Sequence, residues 1–248
     1  MTTSRPPKRC FALQLPTDPD DFETNVDRLC REIERLPAES IVVTPEVFVT
    51  GYPYDRMEEA AEVSRKALER VLSLSRDKTV TLTIIVKEDD NFYNRTFVLH
   101  NGEIVHTQDK IRLFLLGDED RYFAPGSEEK MKIFEIDGMK LGLMVCFEVR
   151  YTEFWQKLRG ADLIMVPARW GLPRKSHLEI LPQALAICDQ CYCIVANSAD
   201  EEMAKSSAVI DPNGEKIADD NAAVIEGVVD FRRIRLIRRY IRMGIFND

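Results

Sequence analysis

The sequence predicts an α/β protein. Short apolar runs rich in Val and Ile alternate with stretches of helical periodicity, and Asn-Gly and Asp-Gly pairs lie between matched strand-like runs. The longest apolar run, Leu141–Phe147, has seven residues. Strands and helices in alternation bury one face each against a neighbour, which packs helices onto sheets. A membrane-spanning helix needs about 20 apolar residues, so no span is expected.

Residues 9–15 read as the first strand. A helix over 20–36 follows, because Phe22, Val26, Leu29, Ile33 and Leu36 recur every three or four positions. Residues 40–44 form a buried strand, 57–75 a helix and 80–86 another strand. Residues 92–107 form a hairpin about Asn101-Gly102, and 132–136 with 140–146 form one about Asp137-Gly138, since both pairs suit the positive φ of a tight turn. A helix at 152–159, a strand at 161–167, a helix at 176–190 and a strand at 192–196 come next. Residues 207–218, turned at Pro212-Asn213-Gly214, and 222–230 add strands, and a basic helix over 231–243 closes the chain. No Gly/Ser linker, low-complexity tract or sequence repeat interrupts this order, so residues 1–248 are expected to form one domain.

Composition narrows the function classes. There are 34 Lys+Arg against 42 Asp+Glu, a formal charge of −8, and phosphate binding draws on a cation surplus, so nucleic acid is not the expected partner. With 45% hydrophobic and 31% charged residues the balance is that of a globular chain. The start, MTTSRPPKRC, lacks the apolar centre of a signal peptide, and six unevenly spread cysteines suit reduced thiols, so a cytoplasmic location is expected.

Four positions could carry chemistry. Cys146 ends the apolar run LGLMVC and precedes FEVRYTEFW, which reads as an amphipathic helix. A thiol at a strand tip entering a helix projects into a pocket, and a helix N-terminus favours the thiolate; a buried free cysteine fits the same position. Glu46 lies just past a buried strand, after Pro45, where desolvation by apolar neighbours raises a carboxyl pKa toward that of a general base; a capping acid fits there too. Lys110 stands where a polar strand end enters an apolar loop, a place for a fixed cation facing an oxyanion. Glu119 follows in a long loop closed by Pro125-Gly126. A histidine would be the ordinary base for a thiol, but His100, His106 and His177 have no local tie to Cys146, which leaves a Cys–His acyltransferase using His177 as one alternative.

The order of Pro45-Glu46, Thr50-Gly51-Tyr52, Lys110 to Phe114, Glu119, Tyr122-Phe123, Pro125-Gly126 and Cys146-Phe-Glu-Val-Arg150-Tyr-Thr-Glu153 resembles the nitrilase, or carbon–nitrogen hydrolase, superfamily. Ala161 to Trp170, Asn197 and Ser207 to Gly214 extend the resemblance over about residues 9–230. It implies an αββα four-layer sandwich with Glu46 as base, Lys110 as oxyanion stabiliser, Cys146 as nucleophile and Glu119 orienting the attacking groups. It also implies hydrolysis of a small linear amide through a Cys thioester, with the Phe147 N–H aiding Lys110 and with no metal or organic cofactor. Tyr52, Tyr122, Arg169 and Trp170 are expected to line the mouth and bind a substrate carboxylate. An N-carbamoyl amine or amino acid, or a non-catalytic binding member of the same fold, are the alternatives, and a homo-oligomer is the expected assembly.

Departures occur at Leu185, Cys188 and Asp189, where many relatives carry Arg, Glu and Asn, and at Lys205. They touch the helix behind the nucleophile rather than the four positions above. Cys188, Cys191 and Cys193 contain a C-x-x-C step, but a closed zinc site needs four ligands and no second pair supplies them. Six arginines in residues 232–242, with Ile234, Ile237 and Ile241 as an apolar stripe, suit a helix packed on the chain's own acidic body or on a second subunit better than a membrane surface.

Overall fold

The computed structural model describes residues 5–245. In chain order the elements are β1 (Lys8–Leu13), α1 (Phe22–Arg35), β2 (Ile41–Val43), α2 (Met57–Leu74), β3 (Thr79–Glu88), β4 (Asn91–His100), β5 (Glu103–Asp109), α3 (Glu119–Tyr122), β6 (Phe134–Ile136), β7 (Met139–Leu143), α4 (Thr152–Lys157), β8 (Leu163–Pro167), α5 (Lys175–Asp189), β9 (Tyr192–Ala196), β10 (Ala208–Ile210), β11 (Lys216–Ala218), β12 (Val224–Val229) and α6 (Phe231–Tyr240). Among the described residues no helix is long and apolar enough to cross a membrane.

Two six-stranded sheets form, ordered β12-β1-β2-β3-β4-β5 and β11-β10-β9-β8-β7-β6. In the first, β1, β2 and β3 run parallel and β4 and β5 return antiparallel. In the second, β7, β8 and β9 are parallel, and β10 and β11 return in the same way. The chain therefore repeats one strand pattern twice without a repeat of sequence, because the pattern needs only apolar strands, crossover lengths and turn residues.

Four layers follow from the burial. The stripe Phe22, Val26, Leu29 and Ile33 of α1 packs with α2 on the outer face of the first sheet. Phe154 and Trp155 of α4 and Leu178 and Ala186 of α5 cover the second sheet. Between the sheets, Ile41, Val43, Leu141, Leu163, Met165 and Ile194 form a shared core. Each fully buried side chain of this kind contributes about 1.5–3 kcal/mol. Asp21 caps α1 by accepting the Thr24 N–H at 2.9 Å.

Three expectations about the elements change. The strand before Cys146 stops at Leu143, and α4 begins only at Thr152, with a single 3₁₀ turn between. The thiol therefore sits at the start of a 3₁₀ turn and not at the N-terminus of α4. Helix α6 ends at Tyr240, and its buried face is Phe231, Ile234 and Arg238, while Ile237 is half-buried and Ile241 is 54% exposed. Arg238 reaches the core because Nη2 donates to Ala161 O at 2.5 Å and Nη1 pairs with Asp162 at 3.4 Å. Arg233 pairs with Asp211 and Glu215, so part of the basic helix is matched by the chain's own acids. His100, at the end of β4, lies 2.9 Å from Thr79 Oγ1, and His106 of the edge strand β5 stacks on Phe134.

Candidate active site

The parallel strands of both sheets point their carboxyl ends toward one crevice, the usual place for a site in an α/β fold. Glu46 follows β2 and its N–H donates to Ala168 O, past β8, at 3.2 Å, so the two sheets are joined beneath it. Lys110 follows β5, Cys146 follows β7, and Glu119 opens α3. Cys146 has φ 52°, a left-handed conformation unusual for a side-chain residue, which turns the thiol out of the strand line.

Lys110 is wholly buried and bridges two carboxylates: Nζ donates to Glu46 Oε1 at 2.8 Å and to Glu119 Oε1 at 2.7 Å. A third, longer contact reaches the Tyr52 hydroxyl at 3.4 Å. Glu119 Oε2 accepts the Phe114 N–H at 3.0 Å, which anchors the loop before α3. Glu46 Oε1 also accepts from Asn94 Nδ2 at 2.9 Å, whereas Oε2 is buried with no hydrogen-bond partner among the described residues. The Arg169 N–H donates to Cys146 Sγ at 3.5 Å. Beneath the nucleophile, Glu148 Oε2 accepts the Val145 N–H at 2.7 Å and Oε1 accepts those of Ile111 at 2.6 Å and Arg112 at 3.4 Å. That single carboxylate ties the segment after Lys110 to the segment before Cys146.

The charges sort by these contacts. Burial pushes the Glu46 carboxyl up, but the Lys110 ammonium and the neighbouring donors outweigh it and hold the group below the ordinary range. The expected upward shift is thus reversed, because apolar flanks are visible along the chain and the cation is not. Burial would lower Lys110, yet Glu46, Cys146 and Glu119 raise it, so it stays an ammonium. Glu119 is raised by burial and by the Glu46 charge. Cys146 is raised well above the ordinary thiol value by burial and Glu46, so it rests as a thiol and not as a thiolate.

A cavity of about 590 Å³ opens over Glu46, Glu119 and Cys146. Tyr52, Phe147, Arg169 and Trp170 line it as expected. Tyr122 does not; it is 39% exposed and stacks behind Tyr54, ring centroids 4.1 Å apart. The Arg169 guanidinium lines the wall but is held by Asp200 and by Thr17 Oγ1, the latter at 3.0 Å. Two other arginines face the cavity without a carboxylate partner among the described residues. Arg150 lies 4.5 Å above the Trp170 ring and donates to His177 Nδ1 at 3.0 Å, and Arg174 lies 5.2 Å from the Phe114 ring. Burial and the Arg174 charge both lower the Arg150 pKa, so the two cations share one field. His177 is exposed and outside the cavity lining, so no Cys–His pair forms. Cys191 and Cys193 are buried and Cys188 is exposed.

The profile of the carbon-nitrogen hydrolase family matches residues 12–239. The chain belongs to the carbon-nitrogen hydrolase family. It is 29% identical over 221 residues to a 2-oxoglutaramate amidase of Bacillus subtilis (84% of each chain) and 28% identical over 217 residues to the omega-amidase YafV of Escherichia coli (83% of this chain, 82% of that one). Its fold matches XC1258 of Xanthomonas campestris, a CN-hydrolase superfamily protein, with a TM-score of 0.86 at 21% identity over 98% of both chains.

Within this family member, the structure gathers Glu46, Lys110, Glu119 and Cys146 at one place. Asn94, Glu148, Arg174 and Asp200 were not singled out in the sequence. Asn94 had a usable signal, a strand-averse residue in the middle of FYNRTFVLH. Arg174 had none, since an arginine after a proline in a loop is ordinary.

Proposed function

We propose that this carbon-nitrogen hydrolase cleaves the amide of a small linear substrate that also bears a carboxylate, releasing ammonia. The observation that carries the reading is the Lys110 ammonium bridging Glu46 and Glu119 beside Cys146, with Glu46 Oε2 left unpartnered. The thiol gives its proton to Oε2 as sulfur adds to the amide carbon; a carboxyl held low and a thiol held high oppose transfer before attack, so the two events coincide. The resulting oxyanion is stabilised by Lys110, which gives up its long Tyr52 contact, and by the Phe147 N–H. Glu46 returns the proton to nitrogen, the C–N bond breaks and ammonia leaves a thioester. Water, deprotonated by Glu46, then adds to the thioester; the C–S bond breaks and sulfur regains its proton.

Arg150 and Arg174, cations without a carboxylate partner among the described residues, support an anionic substrate, and guanidinium groups pair well with carboxylates. The names of the relatives, a 2-oxoglutaramate amidase and an omega-amidase, point the same way. An N-carbamoyl amino acid carries the same carboxylate and is the second reading. Exposed Leu172, Ile180 and Ile187 on and before α5 support a homo-oligomer, to be checked by light scattering.

The test is ammonia release from omega-amides, uncharged aliphatic amides, N-carbamoyl amino acids and nitriles. Cys146→Ala and Glu46→Gln are expected to lower the rate by about 10³-fold or more. A wild-type chain inert on the whole panel, or a fully active Cys146→Ala, defeats the reading. Intact mass of Cys146 during turnover reports the thioester.

A further inference from the structure

We propose that Asn94 is a positioning residue for Glu46, selecting the carboxylate oxygen that takes the Cys146 proton. The proposal rests on the assignment of Glu46 as base to Cys146. Asn94 lies in β4 and is 1% exposed. Its Nδ2 donates to Glu46 Oε1 at 2.9 Å and to the Tyr52 hydroxyl at 3.1 Å. Lys110 Nζ occupies the same Oε1 at 2.8 Å. Oε1 therefore holds two donors and Oε2 none, so the basic lone pairs that remain are on Oε2. Asn94 acts a second time through its backbone, where its carbonyl accepts the Lys110 N–H at 2.8 Å. One residue thus sets both the carboxylate and the lysine that flank the thiol.

The other half of the Asn94 amide makes the argument sharper. Its Oδ1 is buried with no partner among the described residues. Turning the amide over would aim that oxygen at the Glu46 carboxylate, so the orientation with Nδ2 toward Glu46 is the only sensible one. A half-satisfied amide is a poor choice for holding a strand, and the same sheet uses the mutually bonded pair Thr83 and Thr96, 3.0 Å apart, for a polar core contact. The one productive end of Asn94 faces the acid of the site.

The experiment compares the pH dependence of kcat/KM for wild type, Asn94→Ala, Asn94→Leu and Asn94→Ser, alongside the pH dependence of Cys146 alkylation by iodoacetamide. Losing an N–H donor to an ionised carboxyl raises its pKa, so the acid limb is expected to move up by about one pH unit in the Ala and Leu variants. Under the same conditions kcat falls roughly tenfold and KM stays within about twofold. Asn94→Ser, which keeps a hydroxyl donor, recovers part of the shift. A purely structural residue would lower melting temperature without moving the limb. An unmoved acid limb in folded variants overturns the proposal. If Ala and Leu variants do not fold, Asn94→Ser decides alone, with a smaller upward shift expected and none overturning it. Should wild type hydrolyse no amide, the functional reading fails separately, and the alkylation profile still decides Asn94 by the same criterion.

Discussion

Cys146 is poised by its backbone and restrained by its surroundings. Its left-handed φ of 52° presents the thiol to the cavity, while burial and the Glu46 charge keep it protonated. Activation then coincides with attack, and the rate should follow the ionisation of Glu46. Because that carboxyl is held below its ordinary range, kcat/KM is expected to stay level through neutral pH and to fall only below the usual carboxylate region, which a pH–rate profile checks. Specificity belongs to the same scale. Arg169 is neutralised by Asp200, so the free positive potential comes from Arg150 and Arg174. Replacing either with Met should raise KM for a carboxylate-bearing amide about tenfold, with an uncharged amide changed by less than about twofold, measured by steady-state kinetics. Equal losses on both substrates would remove the arginines from recognition.

At the scale of elements, the site is made by loops at strand ends, and Glu148 is what holds two of them together. It fastens the backbone after β5 to the backbone after β7 through three N–H groups. Burial pushes its carboxyl up to about 7, against the pull of those donors. In the unfolded chain it loses its proton near 4.5 and in the folded chain near 7, so between these values the native state binds more protons and stability falls as pH rises. Glu148→Gln is expected to remove that contribution, so its melting temperature should rise relative to that of wild type as pH increases from 4.5 to 7. It should also cut kcat by about 10²-fold, because its Nε2 confronts a backbone N–H and shifts Lys110 relative to Cys146. The elements themselves were largely legible: α1, the two hairpins and the apolar strands lie within a few residues of their expected places, since each depends on local periodicity and turn chemistry. The end of β7 was not. LGLMVC is apolar to its last residue, whereas the strand ends at Leu143 and the backbone turns to a left-handed conformation at Cys146.

Across the whole molecule, the contact between the two sheets decides what the strands become. The buried faces of β2, β7, β8 and β9 meet in one core, and the sheet edges are closed by pairs such as His106 of β5 on Phe134 of β6, ring centroids 4.1 Å apart and nearly parallel. Burial pushes His106 down to about 4. The unfolded chain takes up that proton near 6.5, so stability is lost as pH falls from 6.5 toward 4. His106→Phe, which keeps the stacked ring, should remove this contribution, so its melting temperature rises relative to that of wild type as pH falls from neutral to mildly acid. An unchanged slope would assign the acid sensitivity to other groups.

The sequence by itself determined the layered α/β class, the order of the elements and the separate positions of Glu46, Lys110, Glu119 and Cys146, because periodicity, turn pairs and motif order are properties of the chain. The tertiary structure decided how those positions behave. Lys110 meets Glu46 across 64 positions and turns a carboxyl expected to rise into one held low. Asp200 removes Arg169 from the free cations, and Asn94 in β4 reaches the acid in the loop after β2. Charge pairing and hydrogen bonding fall off over a few ångströms of space, and distance along the chain does not report that spacing.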